Sequence, residues 1–257
     1  MNGAFYIGAI GLDAQQKALD VVANNIANIN TAGFKGSAVQ FSDLVAPVHN
    51  ESDLPVVLGD RAAILSGTTV VGTPHIWTEG PLQKTGQPLD LAIAGSGFIE
   101  LLGPSGQTML WRGGSLTVNQ DGYLAATDGT PLQAMISVPQ GASALTIAAD
   151  GTVTATVGGA QESQRLGQIE MVMVKDTNGL VDADNSYYEA SDATNIYTVQ
   201  AGEEGSGTFV QGSLESSNVQ LNEAMVELLL YQRAYAANAQ VVQAGDQLMS
   251  IVNGLRR

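Results

Sequence analysis

The chain is 257 residues long, 44% apolar, and sets 10 Lys and Arg against 25 Asp and Glu for a formal net charge of −15. That length and apolar content can supply a packed core in one large domain or two modest ones, whereas the acidic balance argues against a nucleic-acid reader built on clustered cations. The absence of cysteine excludes disulfides, thiolate catalysis and Cys-ligated zinc.

No Lys or Arg precedes Lys17, and the short apolar run at 4–10 soon gives way to Asp13-Ala14-Gln15-Gln16. A cleaved secretory signal is therefore not expected. No stretch reaches the roughly 18 consecutive apolar residues of a membrane span, so membrane insertion is not expected either. Over residues 5–29, Leu12, Leu19, Val22, Ile26 and Ile29 fall within about 100° of arc on a 3.6-residue period, which predicts an amphipathic helix. Asn30-Thr31-Ala32-Gly33 should stop it, with Gly33 suited to the left-handed position after a helix. Residues 36–75, with Pro47 and Pro55, read as an extended connector.

Residues 76–210 read as an all-β domain of sandwich or barrel type. Asp90-Leu91-Ala92-Ile93, Phe98-Ile99-Glu100-Leu101-Leu102 and the run 169–174 are strand-like, and the Asp121-Gly122 and Asp150-Gly151 steps favour tight hairpins. The segment 211–257 is assigned to a second helical region. There Leu221, Met225, Leu228, Tyr235, Ala239, Val242 and Met249 form a stripe at 3/4 spacing, like a coiled-coil seam. Val226, Leu229, Leu230 and Val241 point elsewhere, so this helix wants partners on several sides. The fold class expected is α+β, with residues 1–35 and 211–257 supplying helices paired as a coiled-coil-like stalk.

Little in the chain suggests chemistry. Gly95-Ser96-Gly97 has Glu100 where a dinucleotide turn needs its third glycine, and no helix pattern follows. Asp182-Ala183-Asp184-Asn185-Ser186 alternates oxygens like a calcium loop, but Tyr187 stands where the sharp-turn glycine belongs. His49 and His75 have no recognisable triad partners. No enzyme activity, metal or cofactor is expected.

The run Ala23-Asn24-Asn25-Ile26-Ala27-Asn28-Ile29-Asn30-Thr31-Ala32-Gly33-Phe34-Lys35 resembles the signature of the flagellar rod and hook protein family. Three further stretches follow in the family's order: Leu89-Asp90-Leu91-Ala92-Ile93-Ala94-Gly95-Ser96-Gly97-Phe98, then Gly212-Ser213-Leu214-Glu215-Ser216-Ser217-Asn218-Val219, then Tyr231-Gln232-Arg233-Ala234-Tyr235. Arg112-Gly113-Gly114-Ser115 is also similar to the family's hairpin region, although Trp111 and Gly113 depart from the usual pattern.

The resemblance implies a structural subunit of the basal-body rod that assembles into a helical tube carrying torque from motor to hook. It also implies passage through the flagellar type III export apparatus without a cleaved signal peptide, and a place in the rod that spans the periplasm. The partners implied are copies of itself, other rod and hook subunits, and surrounding ring proteins, with no nucleic acid. The Gly-Leu-Asp-Ala-Gln-Gln and Leu-Tyr-Gln-Arg-Ala-Tyr runs favour the distal over the proximal rod type. The subunit contacts expected are Leu12, Leu19, Val22, Ile26 and Ile29, with Asn24, Asn25 and Asn28, on the first helix. On the second they are Met225, Leu228, Leu229, Tyr235 and Val242. The competing readings are a hook-type subunit, or a secreted β-domain enzyme or carbohydrate binder whose terminal helices form only an intramolecular stalk.

Overall fold

The computed structural model describes residues 2–45, 66–103, 106–157, 163–183, 186–190, 195–203 and 205–255. The chain divides into two compact units, one made of 1–27, 37–75 and 220–257, the other of 28–36 and 76–219. The fold is α+β: a helix near each end and a mostly β middle.

The helical unit contains α1 (Asn2–Ala27), β1 (Gln40–Val45), β2 (Ser66–Gly72) and, at the far end of the chain, α2 (Leu221–Leu255). Helix α1 carries Gly3, Gly8 and Gly11, each costing about 1 kcal/mol of helix propensity relative to Ala. Packing offsets that cost. A Cβ on Gly8 would lie 2.6 Å from Val242 Cγ2, and one on Gly11 2.8 Å from Asn238 Nδ2. The glycines thus let α2 approach closely, and the pairings 8 with 242 and 11 with 238 show that the two helices run antiparallel. Strands β1 and β2 pair antiparallel, Phe41 opposite Val70 and Leu44 opposite Gly67. The two ends of the stretch 36–75 are therefore extended but hydrogen-bonded to each other.

The β unit begins with β3 (Leu82–Lys84), β4 (Asp90–Ala94), β5 (Phe98–Leu102), β6 (Thr108–Trp111), β7 (Gly113–Val118) and β8 (Leu124–Ala126). It continues through β9 (Ala142–Ile147), β10 (Thr152–Val157), β11 (Ser163–Gln168), β12 (Met171–Val174), β13 (Leu180–Ala183), β14 (Tyr187–Ala190) and β15 (Ile196–Val199). It closes with β16 (Thr208–Gln211) and β17 (Ser213–Glu215). Among the described residues these make a six-stranded sheet in the order β13-β14-β6-β5-β12-β15, a four-stranded sheet β16-β4-β7-β8, a three-stranded sheet β11-β10-β9 and the pair β17-β3. The Asp-Gly hairpins form as expected: Gly122 and Gly151 adopt φ of +82° and +86° in the turns joining β7 to β8 and β9 to β10.

Side-chain alternation in the six-stranded sheet explains how one sheet serves two cores. Successive residues on a strand point to opposite faces. Ile99, Trp111, Met171 and Tyr187 join the larger cluster with Leu91, Ile93, Leu116 and Phe209, whereas their neighbours Phe98, Leu110, Val172 and Tyr188 join a smaller one with Leu180. Trp77 stands edge-on to Phe98 and Tyr188 at 5.4 and 4.8 Å. Strand β4 is buried on both faces from Asp90 to Ile93, as a central strand should be. Its one charged residue is satisfied: Thr85 and Ser115 each donate a hydroxyl to Asp90, both at 2.5 Å.

Candidate functional site

Two features stand out, one in each unit. In the helical unit the inner seam of α1 consists of small residues, Gly8, Ala14 and Ala18, continued by Val22 and Asn25, all buried. Leu12, Leu19 and Ile26 are half-buried beside it. Asn25 uses both ends of its amide within the chain, donating to Ser37 O at 2.8 Å and accepting from Ser37 N at 2.9 Å. Ser37 Oγ in turn lies 3.1 Å from Nδ1 of half-buried His75. Asn24 is exposed.

Helix α2 turns Ala224, Leu228, Tyr231, Asn238 and Val242 inward, a 3/4 series, with Tyr231 tilted against Phe41 at 6.2 Å between ring centres. Its remaining apolar residues are uncovered. Met225, Leu229 and Tyr235, expected at subunit contacts, are exposed, and so are Leu221, Val226, Leu230, Val241, Leu248 and Ile251, with Val226 65% and Leu230 61% accessible. Tyr231 and Tyr235 therefore do not share one buried stripe. The expected stripe was rotated from the real seam, because with apolar residues all round the helix its period does not single out one face.

In the β unit, residues 28–36 form a tongue seated among the strands. Thr31 donates its hydroxyl to half-buried Asn28 at 3.2 Å, and Ile29 is half-buried too. Gly33 has the left-handed φ of +71°, but in this tongue rather than at the helix end, since α1 stops earlier, at Ala27.

At the tip of the tongue Lys35 reaches Glu215, Nζ to Oε1 at 2.5 Å, with both side chains only 1% accessible. Glu215 Oε1 also accepts the Gly80 amide at 3.0 Å, and Oε2 accepts Arg112 Nε at 3.2 Å and Nη2 at 3.0 Å. Arg112 also donates from Nη1 to Gly97 O at 2.5 Å and from Nη2 to Gly95 O at 3.0 Å, and its guanidinium sits 5.7 Å above the Phe98 ring. Lys35 donates further to Thr78 O at 2.8 Å. Burial holds the Lys35 ammonium below its ordinary pKa; Glu215 opposes that shift and Arg112 adds to it.

Asn218 extends the cluster. It accepts from Gly36 N at 2.8 Å and donates to Ile76 O at 2.6 Å. Two glycines make this geometry possible. A Cβ on Gly80 would fall 1.9 Å from Ser216 O, and one on Gly113, at φ +101°, would fall 2.5 Å from Leu91 O. The unusual Gly113 thus answers a local demand of this hairpin.

Each charged group of the cluster has at least two hydrogen bonds and is closed to solvent, so the cluster can hold chain segments together but offers no open nucleophile. Sequence reading placed Lys35 and Glu215 in separate motifs without joining them. Of the other motifs, Gly95-Ser96-Gly97 links β4 to β5 and lends carbonyls to Arg112. Asp182 and Ala183 lie in β13 opposite Tyr188 and Tyr187, while Asp184, Asn185 and His49 fall outside the described residues. A cavity of about 390 Å³ on the six-stranded sheet is lined by Glu100, Thr108, Glu189, Tyr197 and others. Among the described residues, no three or more His, Asp or Glu converge as a metal cage, and no helix is long and apolar enough to cross a membrane.

Three family models match the chain: one described as flagella basal body rod protein over residues 5–35, one as flagellar hook protein FlgE/F/G D1 domain over 92–155, and one as flagellar basal body rod FlgEFG protein C-terminal over 210–255. The flagellar basal-body rod protein FlgG of Buchnera aphidicola subsp. Acyrthosiphon pisum is 33% identical over 99% of this chain and 100% of its own length. In Caulobacter vibrioides two rod proteins are similar: FlgG, 34% identical over 98% of this chain and 99% of its own, and FlgF, 31% identical over 96% and 95%.

Proposed function

Because the chain belongs to the flagellar basal-body rod protein family and is a structural subunit of that rod, we propose that it is the distal-rod type and polymerises through its terminal helices. The observation that carries this reading is the apolar surface left on α2 after its inner seam is packed: Val226, Leu229, Leu230, Val241, Leu248 and Ile251 are all more than half exposed. A lone surface helix keeps such residues on one covered stripe. Burying each of them against another subunit contributes about 1.5–3 kcal/mol before ordering costs. Contacts of this kind must be heterologous, since a self-complementary patch would end at a dimer instead of a tube.

In this reading α1 and α2 pair as a coiled coil whose uncovered faces pack against neighbouring subunits in the tube. Leu12, Leu19, Ile26 and Asn24 on α1, and Met225, Leu229 and Tyr235 on α2, meet neighbouring subunits. Subunits reach the tip through the flagellar export apparatus, and ring proteins surround the finished rod. The distal assignment leans on the relatives named FlgG.

The test is the double variant Val226→Asp/Leu229→Asp. Both positions face away from the α1 seam, so the monomer should keep its near-ultraviolet circular dichroism while losing polymer by sedimentation and motility in cells. Normal rods from that variant would overturn the reading.

A further inference from the structure

The tongue and its seat come from distant parts of the chain, and the bonds between them converge on two short segments, 215–218 and 76–80. Lys35 and Glu215 are 180 positions apart. Of the tongue's polar ties to the rest of the β unit, the Gly33 amide donates to Glu215 O at 2.8 Å, the Lys35 ammonium to Glu215 Oε1 and the Gly36 amide to Asn218 Oδ1, while Lys35 Nζ also donates to Thr78 O and Gly36 O accepts from the Ile76 amide. Three of the anchoring points thus lie within residues 215–218. The same residues hold the strand-free segment 76–80, through Gly80 N to Glu215 and Asn218 Nδ2 to Ile76 O.

The charges, by contrast, converge on the first of these segments alone. Two buried cations, Lys35 and Arg112, contact the same buried carboxylate. Burying a cation without a counter-ion is strongly unfavourable, whereas a paired and fully hydrogen-bonded one is tolerated. Until Glu215 is in place, Lys35 has no reason to leave water.

The main sheets, by contrast, do not depend on the tongue. Strands β14, β6, β5 and β12 bond together in one sheet and β4 with β7 in another, and they bury Leu91, Ile93, Ile99, Leu110, Leu116 and Met171 almost completely. We infer that residues 213–219 act as a latch that closes over the tongue 28–36, with Glu215 as its catch, so that the tongue opens and closes while the sheets stay folded. Covalent continuity gives the latch its consequence: the tongue leads directly out of α1 and the latch leads into α2, so the N-terminal segment cannot seat until chain from near the C-terminal helix has arrived. This goes beyond the rod reading and does not depend on it.

The experiment is native-state amide hydrogen exchange on the full-length chain, comparing residues 31–36 with β5 and β12, for the parent and for Glu215→Gln, which keeps the shape and removes the charge. Exchange at 31–36 should rise by roughly 30-fold or more through an opening with a shallow urea dependence, while β5 and β12 keep the steep urea dependence of global unfolding. A tongue unchanged within about 3-fold, or one whose exchange carries the same urea dependence as that of the strands, would overturn the latch. Should Glu215→Gln fail to fold, the parent decides the matter in sub-denaturing urea. Amides of 31–36 must then exchange through an opening with a shallower urea dependence than that of β5 and β12. A tongue that follows the global unfolding line even without urea would refute it.

Discussion

The two units satisfy their side chains in opposite ways. In the β unit Leu91, Ile93, Phe98, Ile99, Leu101, Met171 and Val172 pack into two buried clusters, and each of its buried ions has at least two hydrogen bonds. In the helical unit α2 covers one seam and leaves the rest of its apolar surface bare. A domain that is finished alone and a helix pair that is not are the expected halves of a subunit that must be stable before assembly and adhesive during it. On the proposed reading, the apolar residues that α2 exposes are the functional feature of one unit, and the buried charges are the structural feature of the other.

Three changes sharpen that contrast. The largest effect belongs to the ionic cluster: Glu215→Leu should destabilise the β unit by about 3–5 kcal/mol, because it strands two buried cations. Denaturant unfolding followed by Trp111 and Trp77 fluorescence measures it, and a loss under about 1 kcal/mol would mean that water reaches the cations. Next comes the helical seam. Gly11→Leu drives a branched side chain into Asn238 and should cost about 1–3 kcal/mol by overpacking, read as loss of helical circular dichroism at lower temperature with the β unit's transition unmoved. A matching shift of both transitions would contradict the independence of the two units.

The smallest effect is alkaline. Burial raises Tyr187 and Tyr188 above the ordinary 10.0. The unfolded chain releases those protons near pH 10.0 while the folded chain keeps them, so their contribution is fully present below that pH and is lost as pH rises further. Lys35, held below 10.5 by burial, works the other way: between its lowered value and 10.5 the unfolded chain binds more protons, and stability rises with pH. Phenolate absorbance at alkaline pH should therefore show Tyr187 and Tyr188 ionising together with loss of near-ultraviolet dichroism. Ionisation of both ahead of that loss would show that the sheet face is open.

What was legible in the sequence follows the range of the interactions. The hairpins at Gly122 and Gly151 could be read because Asp-Gly steps act over a few residues, and β4 and β5 because their apolar runs are strand-length. Val22 and Leu228 were found by periodicity. Gly8, Gly11, Ala14 and Ala18 were missed, although their 3/4 spacing was present, because hydropathy gives small residues little weight and their value is close approach. No local rule could join Lys35 to Glu215, or assign both ends of the Asn25 amide to Ser37. Those contacts exist only once the chain has closed on itself.

The Asn25 contact carries one more consequence. An amide meets Ser37 as a neighbouring strand's peptide group would, one donor facing a carbonyl and one acceptor facing an N–H. Hydrolysis of that amide to Asp replaces a single nitrogen with oxygen. The donor is lost, and the new carboxylate faces the Ser37 carbonyl with lone pairs on both sides. The contact therefore holds only while this side chain stays an amide, since it needs one donor and one acceptor side by side.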